Sequence, residues 1–108
     1  MKLDETQRAR LEAQARVIKA LAHPTRLFLV QELAKGERCV CDLTELVGVD
    51  ISTVSKHLSL MRNAGVVTQE KRGTQVFYQL KMPCVLKILD CIDPILRRNA
   101  QEKLAALR

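Results

Sequence analysis

Two short helical segments joined by a tight, glycine-containing turn constrain this chain more than any other feature. The first covers residues 43–47 and stops at Gly48, and the second covers about 51–64 and stops at Gly65. Glycine is common just beyond a helix end because it adopts left-handed backbone angles without strain. Residues 42–64 therefore predict a helix-turn-helix. An aspartate that can cap the helix N-terminus precedes each segment: Asp42 and Asp50.

A basic hairpin follows directly. Residues 66–69 and 75–80 predict two strands, and in the second strand apolar and polar residues largely alternate. The segment Lys71-Arg72-Gly73-Thr74 between them predicts a turn that exposes two cations. Residues 66–80 should then form a wing beside the recognition helix. The expected fold is a winged helix-turn-helix, mainly α with a small β-hairpin.

Further helices are predicted on both sides of this unit. Residues 4–21 carry apolar side chains at helical spacing, and His23-Pro24 separates them from a second helix. The last segment, about 83–107, has a wide apolar stripe, and Pro94 should kink this helix or restart it with Asp93 as a new cap. Such a stripe fits a subunit interface, so we expect dimerisation through the first and last helices.

Length and composition limit the remaining possibilities. The chain is long enough for one domain, placed at 1–108, and a 47% hydrophobic content supports a folded core. With two Phe and one Tyr, that core must be aliphatic and small, which favours a dimer. A net charge of +6 favours a polyanionic partner. No apolar run approaches the roughly 20 residues of a membrane span, and no signal region is visible. We expect a cytoplasmic protein with reduced cysteines.

Polar side chains of the second short helix and cations of the wing are candidates for contact with double-stranded DNA. A recognition helix presents such groups on its N-terminal turns, near base edges and phosphates. His57 at such a position is more often structural or phosphate-contacting than a metal ligand. The alternative for the set is a solvated helix face and hairpin tip, which is disfavoured because fold and charge agree. The candidate DNA-binding residues are Ser52, Thr53, Ser55, Lys56, His57, Arg62, Lys71 and Arg72.

Two thiols, Cys39 and Cys41, stand just before the helix-turn-helix. Soft thiolates suit thiophilic ions, among them Cd, Pb, Zn and trivalent arsenic or antimony. In an extended connector both side chains point the same way and can hold one ion, whereas in a regular helix they point apart. Ion binding and helix geometry should therefore compete for this backbone. The thiol nearest the helix N-terminus should have a lowered pKa. The alternative is that both cysteines are small buried residues.

Three segments resemble the ArsR/SmtB family of winged-helix repressors: Ala22 to Leu27, Ser55 to Val67, and the hairpin from Gly73 to Tyr78. The resemblance extends from about residue 15 to 96. It implies a homodimer, built on the first and last helices, that binds a near-palindromic operator and is released by an inducer. The segment from Cys39 to Leu43 is similar to the metalloid-binding motif of the arsenic-responsive members.

That motif often has a third cysteine three residues after the second, where this chain has Thr44. Cys84 or Cys91 could supply an additional ligand, or the two could pack in the dimer interface or pair across subunits. In a straight helix they lie roughly 10.5 Å apart along the axis, which is beyond disulfide reach. Family members that sense zinc or nickel on the last helix need histidines there, and this chain has none after His57.

These features predict a homodimeric repressor with no permanent cofactor, released from its operator when thiolates bind an inducer ion. As(III) or Sb(III) is favoured, and Cd, Pb or Zn is compatible. The alternative within the family is a repressor that responds to cysteine oxidation or persulfide formation. A thiol enzyme lacks support, since the chain has no C-x-x-C and no phosphate loop. A DNA-binding module with inert cysteines is a further alternative.

Overall fold

The computed structural model describes residues 2–108, which form five helices and a small three-stranded sheet. The N-terminal elements are α1 (Glu5–Leu21), α2 (Pro24–Leu33), β1 (Arg38–Cys39) and α3 (Val40–Val47). The C-terminal elements are α4 (Ile51–Asn63), β2 (Val67–Arg72), β3 (Gln75–Leu80) and α5 (Val85–Ala106). The mainly helical winged helix-turn-helix predicted from the sequence is confirmed.

Local capping chemistry sets several helix boundaries. Asp4 is the N-cap of α1, and its carboxylate accepts the backbone N–H of Gln7 at 2.7 Å. Asp50 is the N-cap of α4, as predicted. Between α3 and α4, Gly48 has a φ of 79°, a left-handed conformation that lets its N–H bond back to the Thr44 carbonyl. This turn fixes the angle between the two helices.

The prediction for the start of α3 was wrong. Asp42 does not cap this helix; Cys39 does, and its sulfur accepts the backbone N–H of Asp42 at 3.4 Å. The expected extended connector is therefore split: Cys39 is the last residue of β1, and Cys41 lies within the first turn of α3. A sulfur is an unusual cap, and the more common capping residue, Asp42, lies three positions too far along the chain.

The wing belongs to a three-stranded antiparallel sheet in the order β1-β3-β2, rather than to an isolated hairpin. β2 extends beyond the predicted residue 69 to Arg72, so that Gly73 and Thr74 form the turn. The additional strand, β1, pairs with β3 through Arg38 opposite Tyr78 and Cys39 opposite Phe77. The connector before the helix-turn-helix is thereby hydrogen-bonded into the wing.

The last helix is continuous, so the restart at Asp93, one of the two predicted effects of Pro94, is wrong. α5 runs from Val85 to Ala106 with Pro94 in its interior. Proline removes one helical hydrogen bond and leaves the carbonyl four residues earlier without that partner. Here residues 90–106 are exposed, so water can satisfy the freed carbonyl of Asp90.

One aliphatic core joins α2, α3, α4 and the sheet. Tyr78 is the aromatic residue within it, and its hydroxyl donates to Gln69 at 2.9 Å. Among residues 2–108, no helix is long and apolar enough to cross a membrane. The core residues are Leu29, Val30, Leu33, Leu43, Val54, Leu58, Met61, Val66, Val67, Tyr78 and Val85.

Candidate functional site

The N-terminus of α4 presents hydroxyl groups whose orientation is set by Asp50. The Asp50 carboxylate accepts the Thr53 hydroxyl at 2.7 Å, the Thr53 backbone N–H at 3.3 Å and the Ser52 hydroxyl. Hydrogen bonds from Ser52 and then Thr53 lower the pKa of Asp50 to about 2, so this group is a pure acceptor at neutral pH. Both hydroxyl protons therefore point toward Asp50, and the exposed oxygens offer lone pairs to solvent.

The remaining predicted contacts on α4 differ in exposure. Lys56 is exposed, one turn beyond Ser52, whereas Ser55 and Arg62 are half-buried. The buried residues Val54, Leu58 and Met61 hold the opposite face of α4 against the core. The exposed polar face of α4 is thus centred on Ser52, Thr53 and Lys56.

His57 makes its contacts inside the protein. Its Nδ1 accepts the Arg26 Nε–H at 3.2 Å, and its ring centroid lies 4.5 Å from that of His23. Arg26 also donates to the carbonyl of Ala20 at 3.1 Å, and His23 Nδ1 caps α2 by accepting the Thr25 N–H at 3.0 Å. These bonds tie α1, α2 and α4 together. Burial, followed by the charges of His23 and Arg26, lowers the pKa of His57.

The two wing cations have different surroundings. Among the ion pairs within residues 2–108, none involves Lys71, which is exposed beside the turn. Arg72 is paired with Glu37 and with Glu70, and its guanidinium carbon lies 4.7 Å from the centroid of the Phe77 ring. Both cations are exposed, as the sequence predicted, but Arg72 is also paired with acidic side chains of its own protein.

The thiols of Cys39 and Cys41 are close in sequence but differ in environment. Cys39 is 6% exposed, and Cys41 is exposed on the surface of α3. The Asp42 backbone N–H lowers the pKa of Cys39, but burial and the side chains of Asp42 and Cys41 outweigh it, so the pKa is raised. The predicted lowering at the helix N-terminus is wrong for Cys39, because this sulfur is buried against a carboxylate.

The part of the chain that the structure describes assembles no ion site with three protein ligands. Within residues 2–108, no group of three Cys, His, Asp or Glu side chains is close enough to hold a metal ion. Cys84 and Cys91 are exposed thiols at and within α5. The Thr44 hydroxyl, at the position of the third motif cysteine, donates to the Val40 carbonyl at 2.7 Å. The donors beside the helix-turn-helix are thus the two thiols of Cys39 and Cys41, one buried and one exposed.

The first and last helices leave apolar surface uncovered. Ala20 is the buried residue of α1, and Val85 is the buried residue of α5. The radius of gyration is 17.2 Å, whereas a compact chain of this length would have about 13 Å. An apolar groove opens between α1, α2 and α5 and is lined by Ile18, Leu21, Ala22, Leu27, Val30, Val85, Ile88, Leu89 and Ile92.

Sequence reasoning missed the residues that hold the site together. Arg26 and Glu37 were not among the candidates, although Arg26 binds α4 and Glu37 binds the wing. Their partners lie 31 and 35 residues away, so no local pattern marks them. The segment His23-Pro24-Thr25-Arg26, noted only as part of the family resemblance, was the available signal for the first of them.

Comparison with known proteins agrees with this architecture. Residues 23–69 match the family described as bacterial regulatory protein, arsR family. The chain is 40% identical over 79 residues to the arsenical resistance operon repressor of Bacillus subtilis, covering 72% of this chain and 75% of that protein. It is 40% identical over 70 residues to the repressor SmtB of Mycobacterium tuberculosis, covering 65% of this chain but about half of SmtB, 52%.

A solved structure gives the same result. The homodimeric winged helix-turn-helix DNA-binding domain of a possible ArsR-family regulator from Mycobacterium bovis superposes with a TM-score of 0.77 at 27% identity, covering 94% of both chains. The matched family and these relatives are described as transcriptional regulators. The chain therefore belongs to the ArsR/SmtB family of winged helix-turn-helix, DNA-binding transcriptional repressors.

Proposed function

We propose that this chain is a homodimeric repressor that leaves its operator when Cys39 and Cys41 bind a thiophilic ion. As(III) or Sb(III) is the favoured inducer, and Cd, Pb or Zn are weaker alternatives. One observation carries the proposal: the sulfur of Cys39 caps the first helix of the helix-turn-helix by accepting the Asp42 N–H. The same sulfur would have to bind the ion together with Cys41, which lies in the first turn of α3, so capture of the ion should distort this turn. Inducer capture is therefore expected to disfavour the operator-binding conformation.

The order of events follows from exposure. Cys41 is exposed and meets the ion first, whereas Cys39 must leave its buried position to join it. Arsenous acid condenses with both thiols: two As–S bonds replace two As–O bonds, and each thiol proton leaves with a hydroxyl group as water. No oxidant or reductant is needed. Departure of Cys39 uncaps α3 and disturbs its packing through Leu43, a fully buried residue that touches the core around α4.

Operator binding would use the exposed face of α4 together with the wing. Ser52 and Thr53 present acceptor lone pairs, which suit the amino groups of adenine or cytosine in the major groove. Lys56 and Lys71 are exposed cations that can reach phosphates. Ser55 and Arg62 would need small side-chain movements, and His57 could reach a phosphate only through Nε2, because Arg26 occupies Nδ1.

The proposal includes a symmetric dimer because the apolar surfaces of α1 and α5 need a cover. Ile18 is 62% exposed and Leu96 is 58% exposed, and Ile18 lines one apolar groove with Ile92, the kind of contiguous apolar surface that marks an interaction site. Ile92→Glu should yield monomers in light scattering at fixed concentration. Leu46→Glu, at an equally apolar and exposed position on α3, should remain dimeric. Dimeric Ile92→Glu protein would refute this interface.

Operator binding measured by fluorescence anisotropy tests the inducer site. Arsenite should release operator DNA from the wild type and from Cys84→Ser and Cys91→Ser. Cys39→Ser and Cys41→Ser should bind operator but no longer respond. If these two variants dissociate normally and an α5 variant does not, the sensor lies on α5. Release by peroxide but not by arsenite would favour the oxidation-responsive alternative, which the buried, raised-pKa thiol of Cys39 makes slower.

A further inference from the structure

Arg72 at the end of β2 is held by a residue that lies outside the wing. Its two Nη groups donate to the two carboxylate oxygens of Glu37, one of them at 2.8 Å, in a bidentate arrangement. Gln79 of β3 donates to the same carboxylate, and these bonds lower the pKa of Glu37. Glu37 immediately precedes β1 and stands two residues before Cys39.

The thiol segment and the wing meet on one face of the sheet. Cys39 is paired with Phe77 across β1 and β3, and directly opposed residues of antiparallel strands project to the same side. Glu37, two residues earlier, shares that side because side chains alternate along a strand. The Phe77 ring in turn lies beneath the Arg72 guanidinium. The strand pairing of Cys39 with Phe77 and the stacking of Arg72 on Phe77 thus connect Cys39 to the end of β2.

We propose that Glu37 is a coupling residue: it holds Arg72, and with it the wing, in the operator-binding position, and it releases both when an inducer occupies Cys39 and Cys41. The inference rests on the proposed function. β1 is only two residues long, so a displaced Cys39 removes half of its pairing with β3. Glu37 then loses its position beside Arg72. The inducer would consequently act on the wing as well as on α3.

Glu70 provides a matched control. It also pairs with Arg72, through Nη2 at 2.8 Å, but it lies on β2 inside the wing. Glu37→Gln and Glu70→Gln each remove one negative charge beside the same guanidinium, so their electrostatic effects on DNA binding are comparable. Only Glu37→Gln cuts the connection between the thiol segment and the wing. Lys71→Ala serves as a second control, since a lost phosphate contact weakens both states alike.

The measured quantity is the ratio of operator Kd values with and without arsenite or antimonite. Glu37→Gln should weaken uninduced binding by roughly threefold per subunit, the effect of an exposed bidentate pair, and should leave induced binding unchanged. The ratio therefore shrinks by that factor. Direct titration should show that Glu37→Gln binds the inducer at least as tightly as the wild type. Glu70→Gln and Lys71→Ala should keep the wild-type ratio.

Arg72→Gln cuts the same contact from the wing side, so it must shrink the ratio equally, and the double variant must shrink it no further. An unchanged ratio in Glu37→Gln, with a responsive wild type, overturns the coupling role alone. An equal loss in Glu70→Gln overturns it as well, because charge rather than connection would then matter. A wild type that ignores both inducers overturns the proposed function and the coupling with it.

Discussion

The capping role of Cys39 can be tested without any inducer by comparing Cys39→Ser with Cys39→Ala. Serine is a preferred N-cap, so its hydroxyl can take over the Asp42 N–H that the sulfur accepts at 3.4 Å. Alanine has no acceptor and leaves that N–H without its partner. Replacing a capping hydroxyl by alanine costs about 1 kcal/mol, within a range of roughly 0.5–2 kcal/mol. The loss should appear in α3, the first helix of the helix-turn-helix.

The assay is urea unfolding at one fixed protein concentration, with free energies from linear extrapolation. Cys39→Ala should be about 1 kcal/mol less stable than Cys39→Ser, or roughly 4–8 °C lower in Tm for a domain near this size. Uninduced operator affinity should fall in Cys39→Ala and persist in Cys39→Ser. Equal stabilities and equal operator affinities would show that the sulfur does not cap α3, and the proposed switch would lose its mechanical basis.

Three further predictions follow from the site. Lys71→Ala should weaken binding to all DNA sequences and reduce the slope of log affinity against log salt concentration by about 1 per subunit. Arg72→Ala should change this slope less, because Glu37 and Glu70 already pair with Arg72. Salt titrations of operator and random DNA test both expectations. Because folding lowers the pKa of His57, this residue contributes stability above its unfolded pKa of about 6.5. The contribution is lost as the pH falls through the folded pKa. His57→Asn keeps an acceptor for Arg26 but does not titrate, so it should lose less stability than the wild type in unfolding experiments between about pH 7 and 5. A parallel decline in the stability of both proteins would contradict this reasoning. Thr44→Cys places a third thiol one helical turn after Cys41 and should tighten arsenite binding in a direct titration, with Thr44→Ser as the control.

The helix-turn-helix and the wing were predictable because their signals are local. The Asp50 cap, Gly48 and the apolar stripe of α4 lie within a few residues of the boundaries they set. β1 was not predictable, since a two-residue strand has no alternation to detect and forms only because β3 is beside it. The cap of α3 was missed for a related reason: burial selects a sulfur at Cys39 over the stronger local candidate, Asp42.

The candidate site divides in the same way. Residue type and spacing made Cys39, Cys41, Lys56 and Lys71 candidates, but their environments depend on tertiary structure. The lowered pKa expected at a helix N-terminus was reversed at Cys39 by burial. Arg72 was predicted as a DNA contact from its place in a turn. Glu37, which binds it, immediately precedes a different strand, β1. Such partners can be found only after the sheet order is known.

The geometry of Cys39 also constrains the thermodynamics of induction. If the capped form binds operator and the ion-bound form does not, operator DNA must weaken inducer binding by the same factor by which the inducer weakens operator binding. A capping bond worth about 1 kcal/mol changes an equilibrium only about fivefold. Strong induction therefore requires contributions beyond the cap, from both subunits of a dimer and from the wing. The contact between Glu37 and Arg72 supplies such a contribution in the wing, which a change confined to α3 would not reach. The ratio of operator Kd values with and without inducer therefore distinguishes a local uncapping of α3 from a movement of the whole DNA-binding surface. Operator affinity alone does not.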